Sequence, residues 1–329
     1  MIKVDLITGF LGAGKTTFIK KYANYLMSKG CNIGILENDY GAVNVDMMLL
    51  QELQGEHCDL SMVAGGCDAD CHRRRFKTKL IAMGMSGYDR VLIEPSGIFD
   101  VDEFYDVLYE EPLCRWYETG NVIAIVDGGL EEQLSDQSEF LLASQIAGAG
   151  TVLLSKTSEC AEAEIEKTIR HMNRAMKAVQ CERRFQDEVI RKDWNSMTDE
   201  DWKNISNSGY VHASYVKKLT EDDSSYSTQY YLDIHLPEEG IKKLIEQVMN
   251  DPSCGNIFRI KGFLKRDSST NPSSRAGKMA ADAAPIWLEI NATRRNIRLE
   301  PIKKGQEVLI VIGENLNKEQ IDRYFEKYQ

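Results

Sequence analysis

Three short stretches of this 329-residue chain carry residue types that could bind and cleave a phosphate chain. The first is Gly9-Phe10-Leu11-Gly12-Ala13-Gly14-Lys15-Thr16-Thr17. Glycines at 9, 12 and 14 let the backbone turn tightly enough for several N–H groups to converge on one anion. A helix starting directly after them adds roughly half a positive charge. The main chain of Gly12, Ala13, Gly14, Lys15, Thr16 and Thr17 is the expected cradle, with the Lys15 ammonium on the β- and γ-phosphates and the Thr16 hydroxyl on Mg²⁺. The second stretch is Glu94-Pro95-Ser96-Gly97, after the apolar Val91-Leu92-Ile93. A carboxylate closing an apolar strand is the Walker-B arrangement: it holds Mg²⁺ through water or orients the attacking water, and the Gly97 N–H can approach a γ-phosphate. The third is Glu37-Asn38-Asp39-Tyr40-Gly41, just beyond a strand. Asp39 is a candidate for Mg²⁺ or its water shell and Glu37 for a second metal, the alternative being a solvated acidic loop. Lys15, Glu94 and Asp39 are the expected catalytic groups.

A fourth stretch points to softer metal chemistry. Cys67 and Cys71 stand four apart with His72 adjacent, so two thiolates can share one face of a helical turn. Thiolate and imidazole suit Zn²⁺, and also Co²⁺ or Ni²⁺. Arg73, Arg74 and Arg75 would lower the thiol pKa values. Two or three ligands do not close a tetrahedral site, so Glu37, Asp68, Asp70 or a partner subunit would complete it. An open shell of that kind fits transfer better than structure. The alternative is two ordinary cysteines at a helix start beside a solvated arginine face.

The elements that must hold these groups follow from apolar periodicity. A short β-type run over 4–7 precedes the glycine-rich turn, and helical spacing over 18–26 follows it, with Gly30 as its stop. Further strands are expected over 32–36, 59–63, 88–93, 122–127 and 151–154, with helices over 101–116, 140–147 and 162–179. Residues 210–215 are expected as the last strand of this sheet. The apolar strands suit a mostly parallel sheet buried on both faces. The polar run Thr220-Glu221-Asp222-Asp223-Ser224-Ser225 marks a linker. After it, strands over 230–236, 257–263, 286–290 and 308–313 and helices over 241–249 and 318–328 describe a smaller α+β domain with an antiparallel sheet. A loop is expected over 267–284. The expected organisation is a P-loop NTPase domain of α/β class over 1–218, a linker over 219–228 and the α+β domain over 229–329.

Composition narrows the function classes. A net charge of −11 argues against a nucleic-acid partner, because phosphate backbones demand a basic face. No run approaches 18 apolar residues, so no membrane span or membrane partner is expected. The eight scattered cysteines do not form a disulfide framework. With no signal peptide ahead of the first strand, they read as reduced thiols, and a cytoplasmic location is expected.

Taken together, Gly9 to Thr17, Glu37-Asn38-Asp39-Tyr40-Gly41, Gly65-Gly66-Cys67, Glu94-Pro95-Ser96-Gly97 and Ser155-Lys156-Thr157 resemble the CobW-type P-loop GTPases, relatives of the GTPases that insert nickel into urease and hydrogenase. The run from Val308 to Leu316 looks like that family's C-terminal domain. The resemblance implies a nucleotide-switched metallochaperone, with Ser155 and Lys156 in the base-recognition segment. Three departures stand out. The family's Cys-x-Cys-Cys becomes Cys67, Ala69 and Asp70 with Cys71 one residue on. Ser158 replaces the guanine-reading aspartate, leaving GTP and ATP both open as the cofactor. Ala42 stands where an acid often follows the glycine of the first switch.

Two functions follow as expectations. One is a nucleoside triphosphatase, with GTP or ATP and Mg²⁺ as cofactors, that carries Zn²⁺ or Co²⁺ on the Cys-bearing loop to a client metalloprotein. The other is a nucleotide-dependent accessory or activator of a cofactor-bearing enzyme, such as a corrinoid protein, with no metal transfer. A nucleotide-dependent homodimer is compatible with both.

Overall fold

The computed structural model describes residues 1–39, 45–65, 69–97, 101–216, 226–232, 234–266, 287–303 and 305–328. Its contacts divide the chain into two compact units, Met1–Thr220 and Glu221–Gln329.

In the first unit, β1 (Ile2–Thr8), β2 (Ile33–Asp39), β3 (Cys58–Ala64), β4 (Arg90–Pro95), β5 (Tyr117–Asp127) and β6 (Thr151–Ser155) pair in the order β3-β2-β4-β1-β5-β6. Every pairing is parallel. The helices are α1 (Lys15–Ser28), α2 (Val45–Leu50), α3 (Ala69–Gly84), α4 (Val101–Leu108), α5 (Leu113–Trp116), α6 (Asp136–Ala147), α7 (Glu162–Ala178) and α8 (Asp199–Ile205). Strand β5 shows why both faces are covered: Val122, Ala124 and Val126 belong to one apolar cluster, Ile123 and Ile125 to another. The first cluster includes Phe76 and Leu80 of α3, Phe104 of α4 and Ile146 of α6, while the second includes Phe18, Ile19 and Tyr22 of α1. Parallel pairing also puts Thr8, Asp39, Pro95, Asp127 and Ser155 on one rim, the carboxyl-end rim where open α/β sheets bind ligands.

Four sequence expectations for this unit change. Strand β2 runs through Asp39, so Glu37 and Asp39 lie within it rather than beyond it. The helix expected over 101–116 is two helices, because Pro112 has no N–H to continue a ladder and instead caps the start of α5. Residues 210–215 add no strand and make only an isolated bridge, Tyr210 with Ala149. The free edge of β6 is already occupied: Leu154 donates to the Ile190 carbonyl at 2.8 Å, and Ile190 donates to Val152 at 2.9 Å. The linker expected over 219–228 ends early, since the next strand begins at Tyr226.

The second unit is a five-stranded antiparallel sheet, β7 (Tyr226–Leu232), β8 (Asn256–Lys265), β9 (Trp287–Ala292), β10 (Ile297–Ile302) and β11 (Val308–Glu314), in the order β10-β9-β8-β11-β7. Helices α9 (Ile241–Asn250) and α10 (Lys318–Phe325) pack Ile245, Val248, Ile321 and Phe325 into one core with Ile260, Leu309 and Val311. Strand β10 escapes sequence reading because Pro301 breaks the pattern, as an edge strand tolerates. The loop expected over 267–284 lies outside the described residues. Among the described residues, no helix is long and apolar enough to cross a membrane.

Candidate active site

The glycine-rich turn between β1 and α1 is shaped by two backbone demands. Gly9 has φ 145°, and a Cβ there would lie 2.2 Å from the Ile125 carbonyl oxygen, so no side chain fits. Gly14 has φ 97° and caps α1 without any side-chain acceptor. The first N–H groups of the helix are therefore left for a ligand. Lys15, only 6% exposed, folds back across the turn and donates from Nζ to the Gly9 carbonyl at 3.0 Å.

Thr16, one residue on, donates its hydroxyl to Glu94 Oε1 at 2.9 Å. This bond joins the first turn of α1 to β4 across 78 residues of sequence, bringing together the two groups expected to share Mg²⁺. Glu94 is buried, and burial pushes its carboxyl above the usual carboxylate range. The Lys15 charge opposes that rise and the Asp46 charge adds to it. Glu37 stands directly opposite Glu94 in the β2–β4 register. Glu94 Oε2 meets no donor among the described residues other than whatever proton the Glu37 carboxyl carries. The buried Thr8 hydroxyl at the end of β1 and the Asn38 amide nitrogen are likewise unpartnered among the described residues. A hydroxyl and buried carboxylates form an all-oxygen, negatively charged donor set, which fits Mg²⁺.

Gly97 follows β4 against the turn. A Cβ at this residue would lie 2.6 Å from the Leu11 nitrogen, so the second candidate switch touches the phosphate-binding backbone directly. Thr17 lies exposed in the first turn of α1. The Asp39 main chain ends β2, but its side chain is outside the described residues.

At the other end of the turn, buried Ser155 closes β6, and Lys156 follows with φ 54° and an ion pair from Nζ to Asp127 Oδ2 at 2.5 Å. Ser158 is exposed in the 3₁₀ turn Thr157–Glu159 and offers no carboxylate there. Sequence reasoning missed Trp194. Its ring lies 3.6 Å from the position of a Gly14 Cβ, beside Ser155, and edge-on to Phe18. Asp46, on α2, was also missed, since an acid in a short helix has no spacing signal.

The thiol loop is only partly visible. Cys67 lies outside the described residues, while Cys71 is half-buried in α3. His72 has a different task from the metal ligand expected of it. It is 1% exposed, with Nδ1 at 3.1 Å from the Gly65 carbonyl and Nε2 at 2.8 Å from Asn38 Oδ1. With both ring nitrogens engaged, neither is available to a metal in this arrangement. Among the described residues, no group of three or more His, Cys, Asp or Glu could hold a metal ion.

A model of the CobW/HypB/UreG nucleotide-binding domain matches residues 3–185. The zinc chaperone YjiA of Escherichia coli (strain K12) is 33% identical over 172 residues, which is 50% of this chain and 52% of that protein. The zinc chaperone YeiR of the same organism is 29% identical over 160 residues, 48% and 47% of the two chains. The chain thus spans about half the length of the curated relatives it matches. A crystal structure of the Zn(II)-bound YjiA GTPase from E. coli aligns over 100% of this chain and 99% of that one, at 20% identity and a TM-score of 0.39.

Proposed function

Because the chain belongs to the CobW/HypB/UreG family of nucleotide-binding domains, we propose that it is a nucleoside triphosphatase whose hydrolysis cycle controls a thiol-bearing loop that takes up zinc and passes it to a client protein. The observation that carries this reading is the buried Thr16–Glu94 hydrogen bond beside Lys15. It joins a phosphate-binding lysine, a metal-binding hydroxyl and a Walker-B carboxylate in one place.

Each group then has a defined task. The turn's N–H groups and Lys15 hold the β- and γ-phosphates and spread the charge that develops as the terminal phosphoryl leaves. Thr16 and Glu94 are the residues that would hold Mg²⁺, which when bound supplies charge neutralisation between the phosphates. Glu94, with Asp39, positions the attacking water. Ser155, Lys156 and Trp194 bound the base end. Without an aspartate at 158 the site admits GTP as the expected substrate and ATP as a competitor.

The cargo reading rests on Cys67 and Cys71, with Glu37 as a further oxygen ligand, and takes Zn²⁺ ahead of Co²⁺ on the chemistry of the relatives. Its direct test is a Zn²⁺ titration with and without GTP and Mg²⁺, on the parent chain and on the Cys67→Ala/Cys71→Ala variant. Affinity that depends on both nucleotide and cysteines is the expected result. Affinity indifferent to both removes the chaperone role. The engagement of His72 by Asn38 and Gly65 favours a second reading, an activator that docks on a cofactor-bearing enzyme without carrying metal. Nucleotide-dependent capture of a client from metal-free buffer would select it. The protein partners are the client and, in the nucleotide-bound state, a second copy of this chain. The cysteines among the described residues are all free thiols, which suits the cytoplasm.

A further inference from the structure

Gln145 is the largest buried polar side chain of helix α6. Gln145 lies between Ser144 and Ile146, is 1% exposed, and reaches out of the helix to donate from Nε2 to the Gly97 carbonyl at 2.9 Å. Its other atom, Oε1, is buried and meets no donor among the described residues. A buried amide left half-satisfied is costly, and such groups call for an explanation. The helix behind it is well anchored. Ser135 caps its start by accepting the Ser138 N–H, and Arg183 donates to the Ile146 and Ala147 carbonyls at its end, at 3.1 and 2.8 Å.

Gly97 is held on its other side by the phosphate-binding turn, since no Cβ fits between it and Leu11. The residue is therefore gripped between two fixed parts: the backbone of the turn and the carboxamide of Gln145. We propose that Gln145 is a positioning residue for hydrolysis, setting the direction of the Gly97 main chain so that its N–H meets the γ-phosphate. This rests on the triphosphatase reading above and goes beyond it by assigning the anchor of the second switch. The carboxamide makes this one contact and leaves Oε1 over, as expected of a side chain kept to hold a position rather than to fill the core. Preorganised donors of this kind act on the transition state and the γ-phosphate, and they are indifferent to the rest of the nucleotide.

The test compares Gln145→Met, which keeps length and volume but has no donor, with Gln145→Asn, whose carboxamide is one methylene too short to reach the Gly97 carbonyl. Both are measured for steady-state hydrolysis and for binding of GDP and a non-hydrolysable GTP analogue. The expected result is a kcat lower by about ten- to a hundredfold, with KM for the triphosphate rising in step with the weaker analogue binding. GDP affinity stays at the parent value, while the preference for the triphosphate analogue over GDP collapses. Parent-like kcat and preference in both variants overturn the inference. So does an equal loss of affinity for GDP and the analogue, which is what a purely structural role produces. If Gln145→Met does not fold, Gln145→Asn, which keeps a neutral polar group, decides by the same readouts. A parent chain that binds no triphosphate at all defeats the underlying reading, and this one with it.

Discussion

Two buried polar clusters lie in the same sheet, and they are built on opposite terms. Around Asp5 every polar group is matched. Its Oδ2 accepts from Tyr22 at 2.7 Å and from Arg90 at 2.6 Å, and its Oδ1 accepts the Asn121 N–H at 2.8 Å. Asn121 in turn donates to the Ser206 carbonyl at 3.0 Å and accepts from the Gly209 N–H at 2.8 Å. Burial alone would lower the Arg90 pKa, and Asp5 and Tyr22 together more than offset it by charge and hydrogen bonding. Around Glu94, by contrast, the Thr8 hydroxyl, the Asn38 amide and Glu94 Oε2 are left over among the described residues, and burial drives the carboxyl pKa upward. A closed network ties β1, α1, β4 and β5 together. An open one at the carboxyl-end rim leaves buried polar atoms that a cation and a phosphate could satisfy. The difference separates polar burial that serves the fold from polar burial that serves a ligand.

That contrast can be broken by substitution. Asp5→Ala leaves Arg90 buried without its carboxylate and should cost about 3–5 kcal/mol of stability in urea unfolding of the nucleotide-free chain. A loss under about 1 kcal/mol would show that the matched cluster is not what holds the sheet. Glu94→Gln should behave in the opposite way, reducing turnover by about 10²–10³-fold, a loss of about 2.7–4 kcal/mol, while leaving the nucleotide-free chain at least as stable as the parent.

The pH dependence sharpens the same point. A carboxyl whose folded pKa is raised binds its proton more tightly in the folded chain. Its contribution is fully present below the unfolded value of about 4.3 and is lost as pH rises through the raised folded value. The stability advantage of Glu94→Gln over the parent should therefore grow with pH across that window, by about 1.4 kcal/mol for each unit of the rise. A flat difference between the two unfolding profiles would contradict the burial of a charged Glu94. At the small end, Lys20→Ala breaks the exposed pair with Glu52, 2.8 Å apart, and should change stability by less than about 0.5 kcal/mol with turnover unaltered.

The phosphate end of the site was legible because its geometry is local. Gly9, Gly14, Lys15 and Thr16 lie within one turn, and Glu94 ends a strand whose apolar run announces it. The fold of the first unit followed from the same alternation of apolar strands and amphipathic helices. What stayed hidden depends on contacts across the chain. Trp194 reaches Gly14 only because Ile190 pairs with β6, and no periodicity marks that pairing. His72 beside a cysteine has the spacing of a ligand, whereas its contacts with Asn38 and Gly65 leave no trace in the sequence. Gln145 falls inside the helix expected over 140–147, but nothing in the sequence links it to Gly97. The misplaced strand over 210–215 failed for a related reason: aromatic alternation cannot reveal that a sheet margin is already taken.

The bonds from Ile190 to Val152 and Leu154 carry one further consequence. They are main-chain bonds, which any residue can supply, and they fix the path of the segment that leads to Trp194. The scaffold around Ser155 and Trp194 is thus largely independent of the side chains displayed on it. Exchanges such as serine for a carboxylate at 158, exposed in its 3₁₀ turn, would leave that architecture intact.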